Sequence, residues 1–169
     1  MLIIRDCVSK NICNLCNKEI DSFLEKRVWS LSDTTWHPYL QEGIPGTCAA
    51  SPPSRLVEIK VRSAVKKYLP DLPREQIVLN YHYWLKYSGV NWHEDKKYIF
   101  GATLYLNEWD KKWGGLFLWQ DKKDGEIHGL VPKPGTLVIN NDAEDHMVTQ
   151  ISPLAKYPRR AIQLWGMKK

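Results

Sequence analysis

Two patterns of apolar and polar residues divide the chain. In its first part, apolar residues recur at helical spacing, which predicts a helix over residues 9–25 and another over 55–68 that Ser54 caps. A short run over residues 2–5 predicts a strand ahead of both helices. Residues 33–53 are rich in Pro, Gly, Ser and Thr, and this composition is typical of a long loop.

From residue 77 onward the pattern changes to short alternating runs between turn residues. These runs predict seven strands, over residues 77–87, 98–106, 115–119, 126–130, 136–140, 146–150 and 159–166. Helices followed by strands are typical of an α+β chain in which the strands form a sandwich or barrel and the helices buttress one face. We expect one domain over residues 1–169, with a helical and loop part over 1–73 and a β core over 77–169.

Composition and charge exclude several classes of protein. No apolar run approaches the roughly 20 residues that span a bilayer, and the first residues do not form a signal peptide, so we expect a cytoplasmic protein without a membrane partner. The net charge of +5 favours anionic ligands. The Lys and Arg residues are spread along the chain and do not form one basic cluster, which argues against a nucleic-acid partner.

The four cysteines do not outline a metal site or a disulfide framework. Cys13 and Cys16 form a lone C-x-x-C motif, with no second pair at zinc spacing and no thioredoxin-like context. We therefore expect buried thiols on a helix and a reducing compartment.

A candidate metal site begins at His93 and Asp95. Residues two apart on an extended chain point the same way, so both side chains can reach one ion. Such a pair often arises by chance, but His146 follows on a later predicted strand. Two histidines and one carboxylate that leave three positions open are the facial triad of non-haem iron oxygenases. The alternative for His146 is a strand-end histidine without a ligand role.

The last predicted strand begins with two cations, Arg159 and Arg160. A dicarboxylate that chelates iron at one end needs a counter-charge at the other, and a buried arginine can supply it. Alternation places Arg159 on one face with Ala161, Gln163 and Trp165, and Arg160 on the opposite face. Arg159 is the predicted anchor; Arg160 takes its place if the register shifts by one, and both are surface cations if neither faces inward.

In their order, these residues and the runs around them resemble a known family. The runs are Leu-Lys-Tyr at 85–87, His-Glu-Asp at 93–95, Leu-Tyr-Leu-Asn at 104–107, Trp-Gly-Gly-Leu at 113–116, Pro-Lys-Pro-Gly-Thr-Leu-Val at 132–138, His-x-Val at 146–148, and an arginine six residues before Trp165. They resemble the Fe(II)/2-oxoglutarate-dependent dioxygenases of the prolyl 4-hydroxylase-like branch, over roughly the last half of the chain. The resemblance implies a double-stranded β-helix (jelly roll) with N-terminal buttressing helices.

The resemblance also implies the chemistry and its cofactors. Fe(II) is held by His93, Asp95 and His146, with 2-oxoglutarate and O₂ as cosubstrates and ascorbate as an optional addition. The halogenating members of the family lack the acidic ligand, so the presence of Asp95 implies hydroxylation.

Further roles follow from the same resemblance. Arg159 is expected to pair with the distal carboxylate of 2-oxoglutarate, and Tyr105 and Tyr87 to donate hydroxyls to it from inward strand faces. Trp165 is expected to line the pocket floor. Gly114 and Gly115 are expected to let two backbones approach closely at a hairpin.

The substrate is less sharply indicated. A prolyl residue in a peptide or protein is the leading interpretation, and a free amino acid or other small molecule is the alternative. A nucleic-acid demethylase of this family typically carries a second arginine where this chain has Trp165. A catalytically inactive binding module should have lost a ligand or the anchor, and a cupin would normally use more histidines. The sequence gives no indication of oligomeric state.

The long loop over residues 33–53 has a candidate role at the site. Its aromatic run Trp-His-Pro-Tyr at 36–39 suits proline rings. We expect the loop to fold over the iron and to hold an extended peptide near Trp92 and Trp119. The alternative is a connector with a few hydrophobic anchors.

Overall fold

A computed structural model of the protein describes residues 1–26, 30–31, 40, 42–44 and 46–168. It contains the two predicted helices, α1 (Lys10–Lys26) and α2 (Arg55–Val65). The Ser54 side chain caps α2 by accepting a hydrogen bond from the backbone N–H of Val57, at 3.5 Å. The predicted end of the second helix was too late, since a 3₁₀ turn over Lys66–Tyr68 replaces its last residues ahead of Pro70.

The described strands form two antiparallel sheets. They are β1 (Leu2–Ile4), β2 (Ser30–Leu31), β3 (Cys48–Ser51), β4 (Ile77–Trp84), β5 (Val90–His93), β6 (Tyr98–Tyr105), β7 (Phe117–Gln120), β8 (Ile127–Leu130), β9 (Leu137–Asn140), β10 (His146–Val148) and β11 (Arg159–Met167). The large sheet has the order β1-β9-β6-β11-β4-β3-β2, and the small sheet has the order β5-β10-β7-β8. The α+β fold class expected from the sequence is therefore confirmed.

From β4 to β11 the chain passes repeatedly from one sheet to the other. The buried apolar residues form two layers, one on each face of the large sheet. An outer core lies between the helices and one face of the large sheet; it includes Cys16, Val61 and Tyr81. An inner core lies between the two sheets, where Trp84 and Tyr105 of the large sheet meet Phe117 of the small one. Every second residue of the large sheet thus faces the inner core.

Three of the described strands lie where no strand was predicted: β3, β5 and the two-residue β2. The segment Cys48–Ser51 falls inside the predicted loop, yet it pairs with β4 as β3. Its small residues give little local signal, and the backbone of β4 supplies the hydrogen-bond partners. The segment Val90–His93 pairs with β10 as β5, which extends the small sheet. Residues 36–39, the aromatic run of the loop that we expected to fold over the iron, lie outside the described residues.

The cysteines are buried free thiols, as expected. Cys13 and Cys16 lie on the inward face of α1, and Cys7 and Cys48 are also buried. Burial raises the pKa of Cys16 to about 12, so its thiolate is disfavoured and the residue packs as a small apolar group. Among the described helices, none offers an apolar stretch long enough to cross a bilayer.

Candidate metal centre

Three potential ligands meet where β5 and β10 pair. His93 ends β5, His146 begins β10, and the two are direct cross-strand partners. Their ring centroids are 4.2 Å apart, and Oδ2 of Asp95 lies 3.7 Å from Nε2 of His146. One ligand atom of each residue lies within 4.8 Å of the other two, a spacing that one metal ion can bridge.

Backbone carbonyl groups fix which nitrogen each imidazole offers. Nδ1 of His93 lies 2.7 Å from the Asn91 carbonyl oxygen, and Nδ1 of His146 lies 2.9 Å from the Glu144 carbonyl oxygen. Because a carbonyl oxygen only accepts, Nδ1 donates in both residues, and in the neutral imidazole Nε2 is then the nitrogen that carries the lone pair. Burial, and then the nearby His146, lower the pKa of His93 and favour the neutral form that a metal requires.

Gly101 leaves room for the acidic member of the group. A Cβ atom at this position of β6 would lie 2.6 Å from Oδ2 of Asp95. The carboxylate therefore occupies the space that any other residue would fill. Gly101 was not predicted as a site residue, although an isolated glycine inside a strand pattern can indicate such a close approach.

A row of rings continues from the candidate ligand His146 across the small sheet. His146 is the cross-strand partner of Trp119, and Trp119 is the partner of His128. Trp119 and His128 stack with centroids 5.4 Å apart, and Trp92 is half-buried beside His93 in β5. Trp92 is thus the sequence neighbour of the candidate ligand His93. Trp119 is the cross-strand neighbour of the candidate ligand His146.

Arg159 is buried at the inner core, between the two sheets. Only 2% of its surface is exposed, and Nη1 donates to the Gly115 carbonyl oxygen at 2.8 Å. The guanidinium lies 5.0 Å from the Trp84 ring centroid and 5.6 Å from that of Tyr105. Among the described residues, neither Nε of Arg159 nor the Tyr105 hydroxyl has a hydrogen-bond partner. Unpaired buried donors are costly, so this position suits an anionic ligand.

Arg160 lies on the other face of β11, as the alternation predicted. Its Nη2 is 2.7 Å from Oδ1 of Asp21 on α1, and its guanidinium lies over the Tyr83 ring. The alternative anchor is therefore held by the helix layer and does not reach the inner core.

The structure separates the two tyrosines that were expected to act together. Tyr105 is 1% exposed on the inner face of β6, and burial raises its pKa to about 12, so its hydroxyl remains a donor. The expectation that Tyr87 lies on an inward strand face is wrong. Because β4 ends at Trp84, Tyr87 falls in a turn with φ +67° and is 54% exposed. Its backbone N–H donates to the Ile151 carbonyl oxygen at 2.8 Å, which holds this turn.

Two further rings, those of Trp165 and His82, lie on the face of the large sheet that meets the inner core. Trp165 is half-buried on β11, and its ring centroid lies 5.5 Å from that of His82 and 5.8 Å from that of Tyr98. His82 was assigned no role from the sequence, yet it is only 5% exposed on the inner face of β4. Burial, followed by the charge of Arg159, lowers the pKa of His82 to about 3, so the ring is neutral.

Two backbones approach closely at Gly114 and Gly115, as expected, but the second backbone is the distant segment around Gln150 and not the other arm of a hairpin. Gly114 has φ +64°, and a Cβ atom there would lie 2.1 Å from the Gln150 carbonyl oxygen. The contact sets the position of Gly115, whose carbonyl oxygen binds Arg159. A tightly constrained backbone segment just before β7 thus accepts a hydrogen bond from a cation that projects from β11 of the large sheet.

The chain is similar to a known family in sequence and to known proteins in fold. A family model described as the 2OG-Fe(II) oxygenase superfamily matches residues 78–167. No curated protein is significantly similar to the chain in sequence.

Several solved structures share the fold at low sequence identity. A prolyl-4-hydroxylase from Pseudomonas putida has a TM-score of 0.72 and 14% identity, over 99% of this chain and 92% of that one. A prolyl hydroxylase from Trichoplax adhaerens, solved with a hypoxia-inducible-factor peptide fragment, has a TM-score of 0.74 and 16% identity, over 98% and 82%. A non-haem α-ketoglutarate-dependent epimerase from nogalamycin biosynthesis has a TM-score of 0.68 and 10% identity, over 97% and 76%. The similarity confirms the expected jelly-roll fold.

Proposed function

Because the chain belongs to the 2OG-Fe(II) oxygenase superfamily, we propose that His93, Asp95 and His146 are its Fe(II) ligands. Membership makes the protein an Fe(II)- and 2-oxoglutarate-dependent dioxygenase that consumes O₂. The observation that carries the proposal is the approach of three ligand atoms to within 4.8 Å of one another. Two imidazoles and one carboxylate are a donor set that suits Fe(II).

The protein supplies orientation at this centre. When bound, iron and 2-oxoglutarate together activate O₂ and couple its reduction to decarboxylation of the cosubstrate. His93 and His146 present their Nε2 atoms because backbone carbonyls bind the opposite nitrogens. Asp95 would partly neutralise the cation from the side that Gly101 leaves open. An iron ion held by these three residues would still be open to the cosubstrate and O₂.

We further propose that Arg159 and Tyr105 bind the distal carboxylate of 2-oxoglutarate. The support is the pair of buried donor groups, Arg159 Nε and the Tyr105 hydroxyl, that lack partners among the described residues. A carboxylate between them would satisfy both groups and balance the buried charge. Trp165, on the same face of β11, is proposed as part of the pocket wall.

For the substrate we propose a prolyl residue in a peptide or protein. The chain shares its fold with two prolyl hydroxylases over nearly its full length, which supports this assignment. Trp92, half-buried beside His93, adds aromatic surface of the kind that packs well on proline rings, whereas Trp119 is only 8% exposed. A free amino acid or other small molecule is the second candidate, and the similarity to the epimerase favours it.

The test is succinate release by the purified protein with Fe(II), 2-oxoglutarate and a panel of substrates. The panel holds proline-rich peptides, matched peptides with alanine for proline, and free amino acids, with mass spectrometry to locate any added oxygen atom. Oxygen added only to prolyl residues would support the proposal. Turnover of free amino acids alone would select the second candidate, and equal turnover of the alanine peptides would refute the prolyl assignment.

A further inference from the structure

Asn140 lies behind the candidate metal ligand His146 and contacts the backbone that orients it. It is the last residue of β9 and is 4% exposed. Its Oδ1 accepts from the Glu144 N–H at 2.9 Å, and its Nδ2 donates to the Glu144 carbonyl oxygen at 2.9 Å. One side chain thus fixes both polar groups of one backbone residue.

The Glu144 carbonyl oxygen is shared. It also accepts from Nδ1 of His146 at 2.9 Å, and Nδ2 of Asn140 lies 3.3 Å from that Nδ1. A carbonyl oxygen has two lone pairs, so it can serve both donors at once. The position of this oxygen determines the protonated nitrogen of His146 and the plane of its ring.

The turn between the two residues does not hold this geometry by itself. Ala143 has φ +48°, a left-handed conformation that alanine adopts only when its surroundings enforce it. Asn140 spans the turn from one side to the other through its two bonds to Glu144. Without those bonds the turn can relax, and the Glu144 carbonyl then leaves its place behind the imidazole.

We propose that Asn140 is a positioning residue of the metal centre, which holds His146 in its metal-binding tautomer through the Glu144 carbonyl. The inference rests on the proposed role of His146 as a ligand. Asn140 contacts neither the metal nor the cosubstrate in this scheme. Its removal should therefore weaken metal binding and leave the affinity for 2-oxoglutarate, set at Arg159, nearly unchanged.

Co(II) titration followed by visible absorption tests the proposal without reliance on turnover. Asn140→Ala should weaken Co(II) binding by about 10-fold or more and alter the ligand-field spectrum, in line with losses of orienting groups at other metal sites. The neighbouring Asn141 is exposed and serves as the matched control, so Asn141→Ala should bind like the parent. At saturating Fe(II), the KM for 2-oxoglutarate of Asn140→Ala should stay within about 2-fold of the parent value.

Further variants separate the possible failures. His146→Ala should lose Co(II) affinity; if it binds Co(II) like the parent, the metal assignment itself is wrong. If His146→Ala is weakened while Asn140→Ala retains the parent affinity and spectrum, only the positioning role is refuted. If Asn140→Ala does not fold, Asn140→Asp keeps the acceptor for the Glu144 N–H and loses the donor to its carbonyl. An unchanged Co(II) spectrum in Asn140→Asp would also overturn the proposal.

Discussion

Replacing Gly101 by alanine should impair the metal centre while it leaves the fold intact. The added Cβ atom would lie 2.6 Å from Oδ2 of Asp95, whereas carbon and oxygen ordinarily approach no closer than about 3.3 Å. The carboxylate must therefore move by roughly 0.7 Å. Because a misplacement of about 1 Å at a reacting centre can cost about 100-fold in rate, we expect kcat/KM to fall by about 10- to 100-fold. This corresponds to about 1.4–2.7 kcal/mol of lost transition-state stabilisation.

Stability should change little in this variant. The clashing atom is the tip of a side chain, which can move without displacing the backbone, and alanine in a strand is no less favourable than glycine. We expect the free energy of unfolding to change by less than about 1 kcal/mol. The measurements are succinate release at varied Fe(II), Co(II) binding, and urea unfolding of the metal-free protein.

Gly129→Ala is the matched control. Gly129 lies in β8, and a Cβ atom there would meet only the tip of Leu118, at 3.0 Å, on the face of the sheet that points away from the ligands. This variant should retain the metal affinity and turnover of the parent. If Gly101→Ala also retains both, Asp95 does not need the space at Gly101, and our placement of the carboxylate is wrong. If Gly101→Ala unfolds, the clash is not relieved by the side chain.

Three further outcomes are expected. Arg159→Ala should raise the KM for 2-oxoglutarate by about 100-fold or more, while Arg160→Ala should change it by less than about 3-fold in the same steady-state assay; similar effects would contradict the assignment of the anchor. The pKa of His82 is lowered to about 3 in the fold, against about 6.5 in an unfolded chain. Because the unfolded state then binds more protons, the free energy of unfolding falls as the pH drops from about 6.5 towards 3. His82→Leu should reduce this acid sensitivity in urea unfolding at pH 7 and pH 5, and an unchanged slope would exclude His82 as a source. Gly114 has φ +64°, and a Cβ atom there would lie 2.1 Å from a backbone oxygen, so Gly114→Ala should lower the free energy of unfolding by more than about 2 kcal/mol. Gly125 has φ +75° but no neighbour within 4 Å, so Gly125→Ala should lower it by only about 1 kcal/mol. Equal losses would refute the steric explanation.

The sequence predicted best those features that local alternation encodes. In β11 the period of two residues separated Arg159 from Arg160, because one face of the strand meets the inner core and the other meets α1. The spacing of His93 and Asp95 likewise depends only on neighbouring residues of an extended chain. The order of the motifs then indicated His146, although no local rule shows that β5 and β10 are partners.

Features that depend on distant backbone were beyond the sequence. Tyr87 shares a continuous run with β4, but hydrogen bonds to the segment near Ile151 end the strand earlier and turn the side chain outward. Gly101 has meaning only once β6 lies against Asp95. Asn140 is bonded to Glu144 across the turn that precedes β10, a contact that only the folded chain reveals. In each case the partner is set by tertiary structure, which composition and periodicity do not specify.

The place of β11 in the large sheet also constrains how the protein is made. This strand lies between β6 and β4, although it follows every other described strand in the chain. Until residues 159–167 leave the ribosome, β4 and β6 each lack a neighbour on one side, and such open edges readily pair with other chains. Pairing between residues this far apart is also slow, so the nascent chain should depend on chaperones or on rapid completion of synthesis. A truncation before residue 159 would leave both edges open and remove Arg159 in the same step.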